Sequence, residues 1–338
     1  MARDWNPIHR FSDLQVEWEI PQPRPSVMIM EDDSSTILSE NKSPDLNFRW
    51  SINPYRGCIH GCSYCYARPT HEYLDMGAGT DFETRIVIKP AAAALLRAAF
   101  ERPSWTGELI CFSGVTDCYQ GIEARYRLTR ACLEICVEYR NPVQIITRSP
   151  LVTRDIDLFK ALVEHQAISV SISLPIVDRD TCRHLEPYAP PPIARLRAIE
   201  KLSSAGIPVS VSLSPIIFGI NDHTIVDTLK QAKAAGATHA WMMMLRLPGA
   251  VEENFIRRLN ATMPLRANRV LNAIRGARDN GLNETRFGDR MTGRGAQWTA
   301  TQDLFEIWQK RLDMSSPPPS PHPTPFRRRG QGVQIGLF

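Results

Sequence analysis

Between Arg85 and Asn260 the chain repeats one pattern six times, a short apolar or β-branched run followed by a stretch of helical period. The runs are 85–89, 108–114, 142–149, 167–175, 207–216 and 237–247, and the helical stretches that follow are 91–100, 124–139, 155–165, 191–206, 221–236 and 251–260. A helix between two strands returns the chain to the same edge, so such strands pair in parallel. Runs this apolar expect cover on both faces. An open doubly wound sheet and a complete or partial (β/α) barrel both satisfy the pattern. Both carry their chemistry on loops at the C-terminal ends of the strands.

The flanks differ in composition. Residues 1–47, with PQPRPS and EDDSS, read as a loosely structured N-terminal arm lying across the domain, and the domain itself as 48–314. PPPSPHPTP (317–325) cannot continue a packed helix or central strand, so 315–338 reads as a flexible tail. No stretch of 18 uninterrupted apolar residues occurs, and MARDWNPIHRFSDL lacks the apolar centre of a secretory signal, so no membrane contact and a cytoplasmic location are expected. The net charge of +4 fits a polyanionic partner without requiring one.

Eight cysteines, unevenly spaced in a large chain without an export signal, point to metal or redox chemistry rather than disulfides. Three fall within GCIHGCSYCY (57–66), as Cys58-x3-Cys62-x2-Cys65. Gly57 and Gly61 let the backbone turn tightly enough for the three thiolates to converge. Thiolates suit zinc or iron–sulfur clusters, and a closed site of either kind wants a fourth ligand. His60 within the loop, or Cys111 or Cys118 from elsewhere, could close a zinc site. A [4Fe–4S] cluster on three cysteines would instead leave one iron open.

This loop, opening a series of β/α units, resembles the radical S-adenosylmethionine (SAM) superfamily. Over about residues 50–250, Tyr-Cys-Tyr (64–66), FSGVTD (112–117), IITRS (145–149), VSIS (170–173), LEPYAPPPIARLRAIEKLSSAGIPV (185–209) and SPI (214–216) are similar to the photolyase-like branch that contains spore photoproduct lyase. NPYRGCIHGCSYCYARPTH and TDCYQ look most like a bacterial group within it. The resemblance implies an α/β fold of the partial (β/α)6 barrel type. It also implies a [4Fe–4S] cluster whose open iron takes the amino and carboxylate groups of SAM, and one-electron cleavage of SAM to methionine and a 5′-deoxyadenosyl radical. An electron donor such as flavodoxin or ferredoxin would supply that electron.

Carried over residue by residue, the resemblance makes Cys58, Cys62 and Cys65 the cluster ligands and Tyr66 the aromatic packed against cluster and SAM. Tyr64 matches a tyrosine proposed for hydrogen-atom relay. Thr116 and Asp117 match a pair touching SAM, Arg148 a base near the SAM carboxylate, and Ser171 a serine at the ribose; Arg195 and Ser214 match more weakly. Where the lyase carries a cysteine that donates hydrogen to the product radical, this chain has Gly114. Cys118, expected on the loop at the catalytic end, is the candidate replacement, ahead of Cys111. Cys132 and Cys136, four apart on a helix, read as core thiols, Cys182 is unassigned, Met242–Met244 read as core, and His71 as structural.

The substrate expected from this likeness is a nucleic acid with a damaged or modified base, either DNA or RNA. A protein or small-molecule substrate, or a non-catalytic zinc or iron–sulfur module, are the alternatives. Residues 334–338, QIGLF, resemble the peptide by which bacterial proteins dock on the DNA sliding clamp, with Arg327, Arg328 and Arg329 upstream able to meet phosphate or acidic surface.

Overall fold

A computed structural model describes residues 26–317 and 321–328. In chain order its elements are β1 (Met28–Glu31), β2 (Leu38–Glu40), β3 (Trp50–Ile52), β4 (Tyr55–Arg56), α1 (Thr80–Thr84), β5 (Arg85–Ile88), α2 (Ala92–Glu101), β6 (Ile110–Phe112), α3 (Glu123–Tyr126), α4 (Leu128–Tyr139) and β7 (Val143–Thr147). There follow α5 (Ile156–Val163), β8 (Ile168–Ser173), α6 (Arg179–Leu185), α7 (Pro192–Ser204), β9 (Val209–Ile216), α8 (Ile225–Ala234), β10 (His239–Met244), α9 (Ala250–Thr262), α10 (Pro264–Gly276) and α11 (Gly295–Arg311).

The main sheet has the order β10-β9-β8-β7-β6-β3-β2. Six of its strands, β3 and β6 to β10, are parallel and follow one another in chain order, with β2 antiparallel on β3. A doubly wound sheet reverses its order at a switch point; this one does not, so it is wound as a partial (β/α)6 barrel running open from β2 to β10. One expectation is corrected. The run 85–89 does not open the barrel: β5 sits in a separate three-stranded sheet, parallel to β1 and antiparallel to β4. The first barrel strand is β3, three residues separated from the cysteine loop only by residues 53–56, which include β4. Within the segment read as an arm, β1 and β2 each join a sheet; residues 1–25 lie outside the described residues.

Register separates the two faces of the sheet, because alternate residues of a strand share a face. Ile110, Phe112, Val143, Ile145, Val170, Ile172, Val209 and Val211 are buried in one continuous core with Leu96, Phe100, Leu133, Phe159, Leu202 and Leu229 of the surrounding helices. The other face aligns Ser51 with Cys111, Gln144 and Ser169, Ser171 with Ser210 and His239, and Ser212 with Trp241. The burial on both faces expected from apolar runs is therefore unequal in kind. Outward residues are large and apolar, whereas inward ones are mostly small and hydroxylated. Among the described residues no helix is long and apolar enough to cross a membrane.

Residues 321–328 of the tail lie against the domain. Thr324 Oγ1 donates to Gly107 O at 2.8 Å, Arg327 N to Tyr139 O at 2.9 Å, and the Phe326 ring packs on Phe100 and stacks on Tyr139. Arg328, read as able to meet phosphate or acidic surface, instead donates to the carbonyls of Phe100, Arg102 and Trp105 at 3.1, 2.8 and 2.6 Å. Arg329 and the peptide 334–338 lie outside the described residues.

Candidate cluster and cofactor site

The cysteine loop leaves β3 at the C-terminal end of the barrel. Gly57 and Gly61 have φ of +79° and +64°, and a Cβ on either would come within 2.8 Å of His71 Cε1 or 2.7 Å of Tyr188 Cδ2. No other residue fits such a turn without displacing its neighbours. Two side chains that the sequence reading did not single out fix the loop. Gln120 Nε2 donates to Gly57 O (3.0 Å) while its Oε1 accepts from Ile59 N (3.0 Å), clamping the peptides on either side of Cys58. The fully buried Arg68 donates through Nε to Cys62 O (2.9 Å), through Nη1 to Ala78 O and Gly79 O, and pairs with Glu83. Both stand inside quoted motifs, TDCYQ and CYARPTH, where long polar side chains beside a cysteine loop are the available signal.

Cys58 and Cys62 are buried and Cys65 partly so. Burial, then Asp117 and the neighbouring Cys65, push the Cys58 thiol up to about 12. Cys62 is pushed well above the usual thiol value, by burial first; Arg148 opposes this, and Glu186 and the thiols of Cys65 and Cys58 add to it. Cys65 thus lies close enough to Cys58 and Cys62 to bear on the ionisation of both. Among the described residues no three His, Cys, Asp or Glu side chains close on a single ion. A mononuclear zinc site demands that convergence. Three thiolates on one short loop are a donor set that an iron–sulfur cluster takes up, each on its own iron. His60 does not complete the set. Its buried ring has Nδ1 3.5 Å from Asp117 Oδ2, and burial holds its pKa down at about 4.

Behind the thiols lies a buried charged network. Arg148 Nη1 donates to Cys62 Sγ at 3.0 Å and to Tyr64 OH at 3.3 Å, and pairs with Glu186 Oε1 at 3.0 Å. Glu186 also accepts from Tyr64 OH and from Arg195, and Cys182 Sγ lies 3.5 Å from its Oε2. Burial alone would raise the Glu186 carboxyl; the guanidinia of Arg195 and Arg148 and the hydrogen bonds from Arg195 and Tyr64 bring it down to about 2. Arg195 is further held by Pro190 O (2.9 Å) and Ser173 O (3.2 Å). Arg148, expected at the SAM carboxylate, and Arg195 are thereby both committed to Glu186, a residue the sequence reading passed over within LEPY.

Asp117 stitches two strand ends together. Its Oδ1 accepts from Tyr119 N (2.9 Å) and Thr147 Oγ1 (2.6 Å), and its Oδ2 from Arg148 N (2.9 Å). Thr116 Oγ1 accepts from Gln120 Nε2 at 3.2 Å. Tyr66 is half exposed and donates to Gly114 O at 2.9 Å, tying the cysteine loop to the end of β6. Ser171 Oγ accepts from Trp241 Nε1 (3.0 Å) across the interior face, where Ser212 Oγ, Ser214 Oγ and Gln144 Oε1 are buried with no partner. Such orphaned groups are costly unless something occupies the space before them. This face, with its small side chains, fits a bound polar cofactor.

The thiols sort differently from expectation. Cys118 lies on the loop after β6 as expected, but it is fully buried, its Sγ 3.8 Å from Phe112 O and from Ser113 Oγ. Cys111, ranked behind it, stands on the interior face between Ser51 and Gln144. Beyond it β6 ends at Phe112, and Ser113 and Gly114 leave the strand with φ of +126° and +139°. A Cβ on Gly114 would meet only Ser51, at 3.8 Å. Cys132 and Cys136 are core residues as read, Met244 is buried, and His71 Nε2 lies 2.8 Å from Arg85 O in a structural role.

Residues 52–232 match the Radical SAM superfamily profile, and the chain belongs to that superfamily, a class of enzymes that use a [4Fe–4S] cluster and SAM. Uncharacterized proteins of Mycobacterium tuberculosis and Methanocaldococcus jannaschii are similar to it. The first is 38% identical over 221 residues, covering 64% of this chain and 65% of that protein. The second is 31% identical over 169 residues, covering 50% and 61%. The chain thus spans just under two thirds of these relatives. In fold it is similar to spore photoproduct lyase complexed with dinucleoside spore photoproduct (TM-score 0.60) and to a doubly substituted mutant of that lyase with bound AdoMet and dinucleoside spore photoproduct (TM-score 0.57). Each shares 14% identity and covers 85% of this chain and 79% of the lyase.

Proposed function

We propose that this chain holds a [4Fe–4S] cluster on Cys58, Cys62 and Cys65, binds SAM along the interior face between Tyr66, Ser171 and Ser214, and acts on a nucleic acid. The bound cofactors supply one-electron cleavage of SAM. The chain's own residues bind, orient and exclude water: Gln120 and Arg68 fix the loop, Asp117 fixes Arg148, and Tyr66 closes the gap between the cysteine loop and Gly114.

The observation that carries the substrate class is Arg246, just beyond β10. Its Nε is buried without a hydrogen-bond partner, and its Nη1 meets the Met291 sulfur at 3.8 Å. Burial and Arg290 lower its pKa, which Tyr66 and Asp45 only partly offset, and Asp45 is already paired with Arg290. An uncompensated guanidinium at the mouth beside Tyr66 suits an anionic oxygen ligand, and arginine suits phosphate. The lyase of like fold has been seen with a dinucleoside spore photoproduct, which supports the same class. Because Gly114 stands where the lyase's donor cysteine would be, the return of hydrogen to product is taken to differ from that lyase. An electron donor of flavodoxin or ferredoxin type, and sliding-clamp docking through 334–338, complete the reading.

The test is anaerobic SAM cleavage with dithionite in the presence of irradiated DNA, undamaged DNA, RNA or a metabolite extract. Stimulated 5′-deoxyadenosine release by one nucleic acid is expected, with R246Q losing that stimulation but not the basal cleavage. Stimulation by the metabolite extract alone would replace the nucleic-acid reading with a small-molecule one.

A further inference from the structure

We infer that Arg148 is a positioning residue that sets the reduction potential of the cluster, by donating a charged hydrogen bond to the Cys62 sulfur from a guanidinium that Glu186 holds in place. The inference rests on the ligand assignment above and not on the choice of substrate. Its geometry is explicit. Nη1 lies 3.0 Å from Cys62 Sγ and 3.0 Å from Glu186 Oε1, and the residue's own N–H is pinned to Asp117 Oδ2 at 2.9 Å. Backbone and side chain are therefore both fixed before any cluster is reduced.

Two effects act in the same direction. Hydrogen bonds to ligating sulfur withdraw charge from the cluster and favour the reduced form, which carries one more electron. At Cys62 the positive charge of Arg148 outweighs the carboxylate of Glu186, which Arg195 also engages, while the other buried carboxylate, Asp117, bears on Cys58. That charge is poorly screened, since Glu186 and Arg195 are fully buried and the Arg148 side chain is only 16% exposed. Glu186 does not cancel the effect, because Arg195 and the Tyr64 hydroxyl share its oxygens. The electron itself comes from an external low-potential one-electron donor and stays on the cluster, so no bond to the protein forms or breaks. The consequence is a cluster that such a donor reduces more readily than an unsupported one.

The experiment is an anaerobic redox titration, read by EPR of the reduced cluster, on wild type, R148Q and R148K, each with its iron and sulfide content measured. R148Q, neutral, is expected to shift negative, with about tenfold less reduced cluster at a fixed solution potential, equivalent to about 59 mV for one electron. R148K, which keeps the charge, is expected to lie nearer wild type. A fully loaded R148Q with the wild-type potential overturns the inference, and so does an R148K indistinguishable from R148Q, which would assign the shift to disturbed packing. Wild type labelled with 15N-arginine supplies an independent arm. Hyperfine coupling of a guanidinium nitrogen to the reduced cluster is expected, and its absence overturns the inference even where a variant fails to assemble. A wild type that binds no four-iron cluster removes the ligand assignment itself, and this inference with it.

Discussion

The two ends of the barrel are buried in opposite ways. At the C-terminal ends of the strands the interior holds charge: Arg148, Glu186, Arg195, Asp117 and Arg68, each bound to several partners. At the N-terminal ends Phe100, Trp105, Tyr139 and Phe326 form an aromatic cluster sealed by a tail segment. Burying ion pairs gains little net stability over apolar residues of the same volume, whereas burying rings gains a good deal. The charged end is therefore organised to hold thiolates and cofactor in register, and the aromatic end to keep the fold closed. Substitutions at the first should disturb chemistry and stability together, and at the second stability alone.

The largest expected effect is at the thiols. Replacing Cys58, Cys62 or Cys65 by alanine should each abolish four-iron content and SAM cleavage while the far-UV circular dichroism stays that of wild type; a variant that retains four irons would remove that cysteine from the ligand set. Next is Glu186. E186A leaves two guanidinia without their shared carboxylate and should cost about 3–5 kcal/mol in denaturant unfolding. A loss below about 1 kcal/mol would mean that the network is wet and weak.

The same carboxylate gives a pH dependence. Its pKa is held at about 2 against an ordinary 4.5, so its contribution is complete above about pH 4.5 and is lost as pH falls toward 2. The loss is on the order of 3 kcal/mol for a shift of this size. Urea midpoints of wild type should fall steeply across that window, and those of E186Q less so. Parallel curves would show that other carboxylates govern acid unfolding.

That network also marks where sequence reading stops. Cys58-x3-Cys62-x2-Cys65 and its two glycines are local, so spacing alone disclosed the loop, and the serial β/α pattern disclosed the winding of the sheet. Glu186 meets Arg148 only through tertiary structure, across 38 residues, and nothing in LEPY distinguishes it from a solvent-facing acid. β3 was missed for another reason. Three residues between a loop and a loop make a weaker apolar signal than RIVIK, yet pairing with β6 fixes them as the first barrel strand. The loop position of Cys118 is legible because it follows β6, but its full burial against Phe112 and Ser113 comes from tertiary packing that no local pattern discloses.

At the aromatic end the effects should be smaller and confined to stability. F326A, at a half-buried ring, should cost about 2 kcal/mol, roughly half the cost of a fully buried phenylalanine. G107A acts on the same contact from the other side. Gly107 has φ of +80°, and a Cβ there would stand 2.2 Å from Phe326 Cβ, so the tail segment must shift to admit it. Both variants should lower the thermal midpoint and keep wild-type SAM cleavage. Lost cleavage in a variant that remains folded at the assay temperature would mean that the two ends are coupled.

The smallest effect is expected at Arg328, whose guanidinium gathers the carbonyls of Phe100, Arg102 and Trp105 where α2 ends. The last carbonyls of a helix lack partners within it, and a cation there satisfies them and opposes the negative end of the helix dipole. These carbonyls lie near the surface, so water replaces most of what R328A removes, and the loss should be about 1 kcal/mol. R328K keeps the charge but not the fork that reaches several carbonyls at once, and should recover only part of that loss. Proteolytic cleavage within residues 321–328 should accelerate in R328A relative to wild type while the cluster end is unchanged. Equal proteolysis rates would show that Phe326 and Thr324 hold the segment without the arginine, and that the closure of this end is apolar throughout.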